Sequence, residues 1–150
     1  MRFLIQSVEH AAVSVDDQVI GSIGKGLLVF VGISETDTKE IADKMVSKLV
    51  RLRIFKDEAG KTNLAAADVG AEFLVISQFT LYADCRKGNR PSFTQAGKAD
   101  LANALYEYVA DSVQAQGFRT ETGSFGAHMK VDLLNDGPFT IFLDSDEVVR

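Results

Sequence analysis

The sequence predicts a single α/β domain with a mixed sheet and two main helices, on three observations. Short β-branched and aromatic runs punctuated by turns fill the first third and the tail. Two stretches place apolar residues at helical spacing. No repeat, linker or low-complexity segment divides the chain. At 150 residues and 46% hydrophobic it can bury one ordinary core and is too short for two comfortable domains.

The opening segment, MRFLIQSVEH, AAVSV, QVIGSI and LLVFVGI, reads as a strand meander, with Asp16-Asp17 as a tight hairpin turn between the second and third runs. In TDTKEIADKMVSKLVRLRIF, Ile41, Met45, Leu49 and Leu52 recur at helical spacing, which predicts a helix over about 38–51. Asp37, with Glu40 three residues later, is the expected N-cap. KDEAGKTNLAAADVG is turn-rich, and AEFLVISQFTLYA after it reads as a strand buried on both faces. A loop, DCRKGNRPSFTQAG, leads to the second helix, ADLANALYEYVADSVQAQG. There Leu101, Leu105, Tyr108, Val109 and Val113 mark one face, and Gly117 is the stop. FRTETG, AHMKVDLL and FTIFLDS then return to strands around NDGP, where Gly-Pro predicts a loop or bulge.

Composition removes several function classes. A net charge of -5 and a pI near 5.0 argue against nonspecific coating of nucleic acid, so any such contact must be local. The single cysteine, Cys85, excludes an intramolecular disulfide, and no export signal is visible. No apolar run approaches the roughly 18 to 20 residues that cross a bilayer, and a soluble cytoplasmic protein with no membrane partner is expected. One Cys and two distant His do not make a zinc site, so no metal and no cofactor are expected. Neither a phosphate-binding P-loop nor a strand-linked G-x-G-x-x-G is present, and GSFG at 123–126 fails the nucleophile-elbow pattern.

Two stretches remain. SQFT, Ser77 to Thr80, puts hydroxyl and amide groups at the end of an apolar strand, where each must find a partner or a substrate. A satisfied strand end and a substrate site both fit. Thr80 as a nucleophile would need a base, and none lies nearby in sequence. NDGPFT, Asn135 to Thr140, is either an ordinary turn or a fixed loop presenting backbone atoms.

Taken together, SQFTL and NDGPFT resemble the paired signature of the D-aminoacyl-tRNA deacylases. IGKGLLVFVGI, RLRIF, KTNL, RPSF and FGAHMKV also sit where that family has similar words, so the resemblance spans nearly the whole chain. It implies a barrel-like sheet, a homodimer, and hydrolysis of the ester joining a D-amino acid, or glycine, to the 3′ end of tRNA. It places catalysis at Ser77, Gln78, Phe79 and Thr80, with the backbone N–H groups near Phe79 and Thr80 holding the oxyanion. Gly137 and Pro138 become a cis pair that reaches into the partner subunit as a chiral filter. By the same analogy Phe125 and Met129 line the pocket, and Arg86, Lys87 and Arg90 are candidates for tRNA phosphates. Water attack assisted by the terminal ribose 2′-OH is preferred to a Thr80 nucleophile. One departure stands out: Ser7 occupies a position where relatives commonly carry Arg, which bears on how the Gly-Pro loop is held. His128 receives no role. Two other readings stay open: a relaxed filter acting on glycyl- or L-aminoacyl-tRNA, and a non-catalytic nucleic-acid-binding dimer.

Overall fold

The computed structural model describes residues 1–149. β1 (Arg2–Val15), β2 (Gln18–Ile23) and β3 (Gly26–Gly32) form the expected meander, and β1 is one continuous strand. Asp16 and Asp17 both take positive φ, 49° and 61°, so this two-residue turn has the left-handed backbone that suits the twist of its flanking strands.

β3 pairs in parallel with β6 (Glu72–Ser77), and β6 in parallel with β7 (Thr120–Thr122), while β8 (Lys130–Asp144) lies antiparallel along the other side of β1. The sheet is therefore mixed and bends into a nearly closed barrel. Across the seam Arg119 donates to the Ser22 carbonyl at 3.2 Å and pairs with Glu72, whose carboxylate also accepts from the Gly24 N–H at 3.1 Å. A small hairpin, β4 (Phe55–Lys56) with β5 (Thr62–Leu64), lies outside the sheet.

Two apolar clusters follow from strand alternation. Phe3, Ile5, Leu27, Val29, Phe73 and Val75 face α1 (Lys39–Val50) and α3 (Ala99–Ala115), whereas Val8, Val13, Leu28, Leu74 and Ile76 fill the barrel. β3 and β6 are thus buried on both faces, as the unbroken apolar run LVI in β6 requires. α2 (Ala66–Val69) and α4 (Ser145–Val148) are single turns. Gly117, with φ 94°, ends α3 as expected.

Three sequence expectations need correction. Thr38, not Asp37, caps α1, accepting from the Ile41 N–H at 3.3 Å; Asp37 instead accepts from the Ser34 N–H and from the Met1 amine. On α3 the buried tyrosine is Tyr106, while Tyr108 is half-buried and donates to Asp43. The strand expected to run through SQFTLYA stops at Ser77, and Phe79–Tyr82 form a 3₁₀ turn. The Gln78 N–H still bonds the Val31 carbonyl at 2.8 Å, but its ψ of 84° then turns the chain off the sheet.

The Gly-Pro segment is a bulge within β8. Asn135 pairs with Val8 and Thr140 with Gln6, so residues 136–139 stand opposite Ser7 alone.

Candidate active site

Parallel strands leave their carboxyl ends free to face a crevice, and here the ends of β3 and β6 do so. Val31, Ile33, Ile76, Ser77, Gln78 and Phe79 line one side of a cavity of about 560 Å³. The start of α3 supplies Ala99 and Ala102, and Phe93, Phe125 and Met129 complete an apolar wall.

Local contacts fix these walls. Phe79, 54% exposed, meets Phe93 edge-on with ring centroids 5.0 Å apart. Phe125 packs on Tyr106 at 6.2 Å, and the Tyr106 hydroxyl donates to the Val75 carbonyl at 2.8 Å. Burial raises the Tyr106 phenol above its ordinary range, so it stays a donor. Gly123 makes room for Met129: a Cβ there would stand 2.6 Å from the Met129 sulfur.

Within SQFT, the Gln78 side-chain amide donates to Thr80 Oγ1 at 2.6 Å. An amide cannot accept the hydroxyl proton, so this contact orients Thr80 without activating it. Thr80 does not itself line the cavity. Phe79 and Thr80 begin the 3₁₀ turn, the positions whose N–H groups find no acceptor within a helical turn.

Gly137 and Pro138 are joined by a cis bond, and Gly137 has φ 128°. Both are exposed, and neither lines the cavity formed by SQFT. The two sequence motifs therefore stay apart within one chain. What holds the bulge is Asn135, whose amide donates to the Ser7 carbonyl at 2.9 Å and to the Phe139 carbonyl at 3.1 Å. Ser7 itself is buried.

Arg86, Lys87 and Arg90 gather with Asp84 and Ser92 around a separate surface depression. Arg86 forks onto Asp84, at 2.6 Å for the closest pair, and these hydrogen bonds lower the Asp84 pKa to about 2. Arg86 is thus already paired, while Lys87 and Arg90 form no ion pair among the described residues.

The family profile described as D-Tyr-tRNA(Tyr) deacylase matches residues 4–144. The chain belongs to the D-aminoacyl-tRNA deacylase family. A D-aminoacyl-tRNA deacylase of Ruegeria pomeroyi is 54% identical over 144 residues, covering 96% of this chain and 99% of that one. One from a Geobacillus strain is 50% identical over 147 residues, covering 98% and 97%. Among solved structures, the c-Myc DNA Unwinding Element Binding Protein superposes with a TM-score of 0.90 at 38% identity, covering 96% of this chain and 98% of that one. A probable eukaryotic D-amino acid tRNA deacylase superposes with a TM-score of 0.83 at 20% identity, covering 95% and 97%, a likeness of fold.

Against this family background, the structure brings Ser77, Gln78, Phe79, Phe125 and Met129 to one cavity and leaves Thr80 beside it. His128, to which sequence reasoning gave no role, lines the same cavity with Ala127. Phe93, Ala96 and Gly97 were missed as wall residues. The available signal was RPSF, the one aromatic in an otherwise polar loop.

Proposed function

We propose that this chain hydrolyses the ester linking a D-amino acid to the 3′ end of tRNA, releasing free tRNA and D-amino acid, and that glycyl-tRNA shares the pocket. The observation that carries the reading is a polar turn, Gln78 to Thr80, at the mouth of an apolar cavity built from the ends of two parallel strands. Family membership supports the substrate.

The backbone N–H groups of Phe79 and Thr80 receive the carbonyl oxygen as negative charge develops on it. Because Thr80 has only an amide beside it, the nucleophile is water, assisted by the ribose 2′-OH of the substrate. No step calls for a metal. Lys87 and Arg90, with Arg86 in reserve, meet phosphates of the acceptor stem.

Chirality is read by exclusion, and a homodimer supplies the reader. Asp136, Gly137 and Pro138 project from β8, which among the described residues pairs only with β1, and Leu134 and Phe142 on either side of them are exposed too. In the dimer, Gly137 and Pro138 of one subunit enter the cavity of the other. A main-chain wall beside the substrate α-carbon leaves space for hydrogen and none for an L side chain. The pocket then tolerates many D side chains, as an editor of translation in the cytoplasm requires.

The test is release of amino acid from D-tyrosyl-tRNA and L-tyrosyl-tRNA, with and without chelator. Chelator-resistant cleavage of the D-ester alone is expected. Equal cleavage of both esters would keep the hydrolase and remove the strict filter, the outcome that Ser7 would favour if the missing arginine matters. A second reading, a non-catalytic nucleic-acid-binding dimer, draws on the basic depression and on the 38%-identical neighbour, named as a DNA unwinding element binding protein. A salt-sensitive complex with tRNA or DNA and no ester cleavage would establish it in place of the first.

A further inference from the structure

Arg2 sits in β1 between Gly32 of β3 and Asp144 of β8, its register partners on either side. Its guanidinium does two things at once. Nε donates to Asp144 Oδ2 at 2.8 Å, and Nη1 donates to the Leu81 carbonyl at 2.8 Å. Leu81 belongs to the 3₁₀ turn that begins with Phe79 and Thr80. The same guanidinium lies 4.4 Å from the ring centre of Tyr82, the last residue of that turn, and 5.9 Å from that of Phe142 on β8.

Gly32 forms the floor under this arrangement. A Cβ at Gly32 would stand 3.0 Å from Leu81 Cβ, 3.3 Å from the Gln78 carbonyl oxygen and 3.3 Å from Tyr82 Cδ2. The turn therefore rests on bare backbone and is gripped from the neighbouring strand by a planar cation with several in-plane donors.

We infer that Arg2 is a positioning residue for the reaction: it fixes the turn bearing Phe79 and Thr80 at the height set by Gly32, and ties that turn through Asp144 to the strand carrying the Gly137-Pro138 bulge. Arg2 touches neither the cavity nor the bulge. Its effect passes through Leu81 and Tyr82 to the two N–H groups that receive the oxyanion. The inference rests on the proposed role of those groups.

The experiment compares wild type, Arg2→Lys and Arg2→Met on D-tyrosyl-tRNA, measuring kcat and KM, together with amide hydrogen exchange of a peptide over residues 77–84. Lysine keeps a cation beside Asp144 but has no rigid fork to serve Leu81 at the same time. For both variants kcat should fall about tenfold, a fraction of what losing a whole oxyanion donor costs, with KM within about twofold. Exchange in 77–84 should accelerate while residues 99–115 exchange as in wild type. Wild-type kcat in Arg2→Lys, or unchanged exchange in 77–84, overturns the inference. If Arg2→Met fails to fold, Arg2→Lys alone decides. If the wild-type protein does not cleave the D-ester at all, the deacylase reading fails, and the exchange comparison still decides whether Arg2 holds the turn.

Discussion

The turn Phe79–Tyr82 and the bulge at 136–139 carry the two halves of one family signature, yet they are held by opposite means. The turn caps a strand with both faces buried, lies on Gly32 and is fixed by Arg2, so its position is set by the core. The bulge stands on a sheet edge, exposed at Asp136, Gly137 and Pro138, and is tied down by the side chain of Asn135. On the proposed function, chemistry is built where packing holds the chain, and discrimination where a second subunit would complete it.

Substitutions should separate the two regions. The largest effect is expected at Gly32→Val, which pushes Leu81 and Tyr82 off β3: kcat on D-tyrosyl-tRNA should fall about a hundredfold, as for an ångström-scale misplacement, with the D-to-L preference kept. A variant that lost the preference instead would break the division. Asn135→Ala should do the reverse. Freeing the Ser7 and Phe139 carbonyls loosens the bulge, and the D-to-L ratio of kcat/KM should drop about tenfold while cleavage of the D-ester changes little.

Tyr106→Phe tests the packing beneath the cavity. It removes the hydroxyl's bond to the Val75 carbonyl in a buried setting and should cost about 1 kcal/mol in urea unfolding, with the D-to-L ratio unmoved. The pH dependence of stability reads the same side of the molecule. Burial, reinforced by the Asp37 charge, raises the Tyr82 phenol above its ordinary 10.0, and burial raises Tyr106 as well. In the unfolded chain both ionise near pH 10, so their contribution is complete below that pH and is lost as pH rises toward the folded values. The urea midpoint should therefore decline above pH 10, and Tyr82→Phe should make that decline shallower. The smallest effect is expected at Thr80→Ala: with fold intact, kcat should stay within about threefold of wild type, because the hydroxyl is oriented by Gln78 and has no base. A folded Thr80→Ala protein without turnover would return Thr80 to the role of nucleophile.

Much of this architecture is legible in the sequence. Periodicity marks α1 and α3, the β-branched runs mark β1 to β3, and Gly-Pro marks the bulge, because each depends on neighbours within a few residues. The turn after Ser77 is not legible, since Phe79, Leu81 and Tyr82 prolong an apolar run, while the Arg2 hydrogen bond to Leu81 and the space left by Gly32 come from other strands. Asp37 is drawn from the cap position it suits by the Met1 amine, a contact across 36 residues. The cavity behaves likewise: SQFT is visible, but its walls at Phe93, Gly97 and His128 arrive from distant segments.

The bulge also has an arithmetic that its residues do not express singly. On one side of it Val131 and Leu133 turn into the barrel, and on the other Phe139, Ile141 and Leu143 turn to the helix-side core, although all five are odd positions. Strand side chains alternate, so odd positions would share one face of an unbroken strand; setting 136–139 against Ser7 alone adds three residues, an odd number, and carries Ile141 and Leu143 to the opposite face. The bulge is the point where β8 passes from lining the barrel to covering the helix-side core. Asp136, Gly137 and Pro138 stand exposed at that crossing, so what the loop displays is mounted on a change of face rather than on an ordinary strand.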